Sequence, residues 1–93
     1  MFVIAHHFIQ EPEAFWASAQ NAIATIPPHL KLHSVYPSSD LKTGTCLWEA
    51  PNAEEVQRLV DSTLGTMSKN VCYEVNEEAA LGLPQKNMEE ATS

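Results

Sequence analysis

The sequence predicts an α+β domain with the element order β-α-β-β-α-β, in which a four-stranded antiparallel sheet carries two helices on one face. Three observations predict it. The chain opens on an apolar run, two stretches have apolar residues at helical spacing with a strand-like run after each, and two strand-like runs in the middle are separated by a turn.

From Phe2 to Ile9 every residue is apolar or aromatic except His6 and His7, a density that suits a central strand with both faces covered. Pro12 fits the first turn of a helix, Glu11 and Glu13 sit near its positive end, and Phe15, Trp16, Ala19, Ala22, Ile23 and Ile26 recur at helical spacing until Pro27-Pro28 stops them. Leu30 to Tyr36 reads as the second strand, Pro37-Ser38-Ser39-Asp40 as a turn, and Thr45 to Ala50 as the third strand. Asn52 and Glu55 have the spacing of a capping box, Val56, Leu59, Val60, Thr63 and Leu64 form one helical stripe, and Gly65 can close it. Val71 to Val75 makes the last strand. Residues 1–85 are thus read as one domain and 86–93 as a frayed polar tail.

Two strand-helix-strand units joined by a hairpin make the split β-α-β pattern of ferredoxin-like domains, with the strands in the spatial order fourth, first, third, second. The second sheet face is then bare, with Phe2, Ile4, Phe8, Val35 and Leu47 available to it. A 93-residue chain buries a modest share of its surface alone, so a homodimer closed over that face, a dimeric α+β barrel, is expected.

Twelve acids against five scattered bases give a charge of −7, which repels phosphate and argues against nucleic acid and anionic membrane as partners. A metal ion or a small molecule remains compatible with it. The opening residues lack a signal-peptide pattern, no run is long enough to span a membrane, and a cytoplasmic location is the expectation. Cys46 and Cys72 fall on the third and fourth strands with the first between them. That puts their Cα atoms roughly 9 to 10 Å apart, beyond disulfide reach, and two reduced, buried thiols follow.

Adjacent strand residues face opposite ways, so His6 and His7 cannot enter one site together. A hairpin centred near Leu41 places His33 across from Glu49. With His6 arriving from the first strand, they would offer mixed nitrogen and oxygen ligands for nickel, zinc, copper or iron, with His7 as the substitute for His6. Equally, an imidazole–carboxylate pair can simply satisfy its own hydrogen bonds in a dimer interface. Trp48 and Tyr36 would share the opposite face of the hairpin as core, and His29 would face solvent. Hydrolase, kinase and dinucleotide-binding motifs are absent from the sequence.

His6-His7, the run Cys46-Leu47-Trp48-Glu49-Ala50-Pro51 and Tyr73-Glu74-Val75 together resemble a family of small bacterial proteins of unassigned role, single ferredoxin-like domains that pair as dimers, some of them nickel-binding. The likeness covers about residues 2 to 76. It implies a dimer with metal ligands near the sheet at His6, His7 and Glu49. Ile4 and Phe8 depart from the pattern, which has an acid and a third histidine there, and His33 would partly compensate. Two functions are therefore expected: a homodimer holding a divalent transition metal, nickel preferred, through His6, His33 and Glu49; or a cofactor-free α+β barrel oxygenase or isomerase whose chamber takes a small apolar substrate beside a proton-transferring His.

Overall fold

A computed structural model describes residues 1–85; the tail expected at 86–93 lies outside the described residues. Its elements run β1 (Phe2–Ile9), α1 (Pro12–Ile23), β2 (Lys31–Pro37), β3 (Thr43–Glu49), α2 (Ala53–Leu64) and β4 (Ser68–Glu74). The strands form one antiparallel sheet in the order β2-β3-β1-β4, which is the expected ferredoxin-like arrangement. Both helices pack on the face presented by Val3, Ala5, His7 and Ile9, and the core of Val3, Ala5, Leu30, Cys46, Trp48, Ala50, Val56 and Val60 lies there.

Each helix begins as its residues dictate. Pro12 starts α1 without a side-chain cap, since its missing N–H needs no partner. At α2 the Asn52 carboxamide oxygen accepts from the Glu55 N–H at 2.9 Å. The Glu55 carboxylate turns instead toward His29 and Arg58, each at 3.5 Å, and His29 is exposed as expected. Helix α1 ends at Ile23, three residues short of Ile26, because a residue directly before a proline is pushed out of helical geometry.

The hairpin departs from its expected register. Ser34 faces Leu47 and Val35 faces Cys46, whereas Lys31 faces Glu49 and Leu32 faces Trp48, so His33 is an extra residue bulged out of β2. A bulge of this kind resets the alternation of faces. Two expectations are corrected by it. Val35, assigned to the bare face, instead lines the space under the helices, and Tyr36, assigned to the core with Trp48, lies across from Thr45 and is 65% exposed.

β4 starts at Ser68 rather than Val71, and Ser68 and Asn70 are buried within it. Cys46 and Cys72 both stand opposite Ala5 from its two neighbouring strands, and both are free thiols. Beyond β4 the chain turns back over the start of β1: the Val75 N–H donates to the Phe2 carbonyl at 2.9 Å, and the Phe2 N–H donates to the Glu77 carboxylate at 3.2 Å.

Candidate functional site

Strand alternation sends His7 to the helix side and His6 to the open side. His7 is 1% exposed, and a buried imidazole needs partners for both nitrogens. Its Nδ1 lies 2.7 Å from the Asn70 carboxamide oxygen and its Nε2 lies 3.4 Å from the Cys46 sulfur. The orientation of Asn70 is set in turn: its Nδ2–H donates to the Asp61 carboxylate at 3.1 Å, and its oxygen also receives the Ser68 hydroxyl at 2.7 Å. A carboxylate only accepts, so the Asn70 oxygen must face His7, Nδ1 must carry the ring proton, and Nε2 keeps a lone pair. Burial holds the imidazole below its ordinary pKa of 6.5 and outweighs the Asn70 hydrogen bond, which pulls upward; His6 lowers it slightly further. At neutral pH His7 is therefore an uncharged base with its free nitrogen directed at a thiol.

Above this floor is a cavity of about 260 Å³ between α1, α2 and the β2–β3 half of the sheet. Its existence follows from α1, whose inward side presents Ala19 and Ala22 where larger residues would reach the sheet. Trp16 closes one end. Its ring lies over Gly44, where a Cβ would come within 2.9 Å of Cη2, and its indole N–H donates to the Leu41 carbonyl at 3.1 Å. Phe15, 5.2 Å from the His7 ring between centroids, forms the inner wall. Trp48 lines the cavity from β3, and among the described residues its buried indole N–H has no acceptor. An unmade hydrogen bond of this sort costs about 1–3 kcal/mol. The walls are otherwise almost entirely carbon.

The open face holds the other expected residues. His33 Nε2 and Glu49 Oε1 meet at 2.9 Å with both side chains nearly solvent-free. The bulge brings them together: without the extra residue, the register set by Ser34 and Leu47 would put position 33 opposite Trp48 and turn it to the helix side. His6 shares this face, but it stands across from Thr45, to whose hydroxyl it is hydrogen-bonded at 2.9 Å, while Phe2 stands across from Glu49. His6 is four strand positions from that level, about 13 Å. His7 is on the reverse side of the sheet. Of the four sequence-derived candidates the fold thus joins His33 to Glu49 and keeps His6 and His7 apart from them, and among the described residues no cluster of three His, Cys, Asp or Glu side chains is placed to hold a metal.

Sequence reasoning missed Cys46, Asn70 and Trp48 as site residues. Asn70 was hidden because Ser68-Lys69-Asn70 is polar and reads as loop ahead of a strand. The one available signal was parity, since Cys46 and Trp48 are two apart on one strand and must share a face.

In comparison with known proteins the chain matches no family model, no curated protein and no solved structure. Among the described residues no helix is long and apolar enough to cross a membrane.

Proposed function

We propose that the protein is a homodimer, each subunit of which takes a small, neutral, mostly hydrocarbon molecule between α1 and the sheet, with His7 as the group that moves a proton to or from it. The observation that carries this reading is a carbon-walled cavity with one uncharged, oriented imidazole at its floor. A cavity of about 260 Å³ is slightly below the ~300–1,000 Å³ usual for drug-sized ligands, so the occupant is small, and a charged one would lose its hydration without finding a counter-charge. A buried base of lowered pKa stays unprotonated near neutrality, the state in which it can accept a proton. This is the chemistry of cofactor-free oxygenases and isomerases. Both tryptophans of the chain line the cavity, so titration with a neutral ketone such as cyclohexanone is expected to change intrinsic fluorescence saturably. A strictly linear response, as from collisional quenching, would count against the reading.

The distribution of charge supports putting the second subunit on the open sheet face. The chain is strongly acidic, yet Glu49 is buried against His33 and Glu74 falls on the helix side of β4 with Val3. The exposed apolar residues of this face are Phe8, Tyr36, Val71 and Tyr73, with the half-buried His6, Thr43 and Thr45 between them and Lys31 and Lys69 at the margins. Among the described strand residues none on this face carries an exposed carboxylate, so two acidic copies can meet there with less carboxylate repulsion than elsewhere.

The His33–Glu49 contact favours a second reading, in which this pair supplies two ligands to a divalent transition metal, nickel preferred, and the remaining ligands come from His6 of another copy or from solvent. Nickel retained after dialysis by the wild type and lost in an intact His33→Ala dimer would support it. Equal metal content in the two proteins excludes it.

A further inference from the structure

A thiol, an imidazole and a carboxamide stand in series at the cavity floor: Cys46 Sγ to His7 Nε2 at 3.4 Å, and His7 Nδ1 to the Asn70 oxygen at 2.7 Å. Asn70 fixes the tautomer, so the His7 lone pair is aimed at the sulfur and the thiol proton has an acceptor. Cys46 and His7 both line the cavity. A nucleophile within reach of a base that is itself oriented by a third group is the arrangement nucleophilic catalysis uses.

The surroundings decide which electrophile suits it. Acyl transfer needs donors around an oxygen bonded to the attacked carbon itself. β3 is paired on both sides, with β1 and with β2, so the backbone N–H groups beside Cys46 are committed to the sheet. Among the described residues a buried donor without an acceptor is the Trp48 indole N–H, two residues along the same strand face, with its Cα about 7 Å from that of Cys46. That donor suits an oxygen set several bonds away from the attacked carbon, as in a conjugated carbonyl compound.

We infer that Cys46 adds to the β-carbon of a small α,β-unsaturated aldehyde or ketone held in the cavity, with His7 accepting the thiol proton and the Trp48 indole N–H receiving the carbonyl oxygen. The inference deepens the reading of the cavity as a binding site and rests on it. In the step, the sulfur–carbon bond forms as the carbon–carbon double bond opens. The electron pair moves onto the carbonyl oxygen as an enolate. The proton lifted from sulfur by His7 Nε2 then returns to the α-carbon. Nothing is oxidised or reduced overall and no group leaves.

The two cysteines give a built-in comparison. Cys72 is the more exposed thiol and does not line the cavity. Burial raises both thiols, Cys46 to about 12 and Cys72 to about 11, so by exposure and acidity a reagent in solution would take Cys72 first. The test is incubation of the folded protein with 2-cyclohexen-1-one at neutral pH, with peptide mass spectrometry to locate the adduct and cyclohexanone as the unreactive probe of the cavity. The expected result is a single adduct on Cys46, unchanged in Cys72→Ser, absent in Cys46→Ser, and formed about 10²-fold more slowly in His7→Gln. Asn70→Ala, which leaves the imidazole but frees its Nδ1, is expected to slow the adduct as well, and serves if His7→Gln fails to fold. Labelling of Cys72 ahead of Cys46, a wild-type rate in both the His7 and Asn70 variants, or no adduct on Cys46 while cyclohexanone binds would each overturn the inference and leave the binding site standing. Failure of cyclohexanone to bind at all would overturn both.

Discussion

His7 and His6 are chemically identical neighbours with different environments, and alternation along β1 makes the difference. That they face opposite ways was legible in the sequence. Which one faces the helices was not, because Val3, Ala5 and Ile9 on one side and Phe2, Ile4 and Phe8 on the other are equally apolar. The His33–Glu49 contact was legible too, but it arises through a bulge in a hairpin whose register differs from the expected one. The state of His7 has a consequence for stability. Its folded pKa lies below 6.5, so above that pH both folded and unfolded chains leave it neutral and it costs nothing. As pH falls below 6.5 the unfolded chain takes up a proton that the folded chain resists, and stability drops until the lowered folded pKa is reached, where it levels off. Urea unfolding across this range should show the wild-type midpoint falling with pH, and His7→Gln, though less stable at neutrality, should show a shallower fall. Parallel slopes would mean that the imidazole is not held neutral by burial.

At the scale of elements, α1 shapes the cavity and was the less completely legible helix. Its apolar spacing was visible, yet the meaning of Ala19 and Ala22 was not, since small residues on an inward face read as ordinary packing when the width of the gap is unknown. Their size keeps the helix from filling the space over the sheet. Helix α2, with its Asn52 cap and its stripe of Val56, Val60 and Leu64, was legible almost to the residue. β4 was not, because the buried Asn70 carboxamide is satisfied by His7 and Asp61 and the buried Ser68 hydroxyl reaches the Leu64 carbonyl, all on other elements, and such partners leave no local pattern. Ala19→Phe is expected to fill the cavity and reduce ketone binding at least tenfold while far-ultraviolet circular dichroism stays unchanged, at a stability cost no greater than the ~1–3 kcal/mol of an overpacked site. Undiminished binding by the folded variant would place the ligand elsewhere.

For the molecule as a whole, the cavity and the exposed apolar side chains lie on opposite faces of one sheet. The helix side holds the cavity, and the open side presents Phe8, Tyr36, Val71 and Tyr73, the surface proposed to meet a second copy. The order of strands and the side taken by the helices were legible because connection rules leave few alternatives; the cavity was not, because it is a property of how far α1 stands from the sheet. Sedimentation at micromolar concentration is expected to show a dimer that Val71→Asp converts to a folded monomer. A wild-type monomer would remove the need for cover on that face.

The most direct measurement is an isotope-filtered nuclear Overhauser spectrum of the labelled protein with unlabelled cyclohexanone, read at the ring protons of His7, Phe15 and Trp48. The account predicts contacts from the bound ketone to all three rings. Contacts confined to Tyr36, Val71 and Tyr73 on the open face, with none to His7, would contradict it.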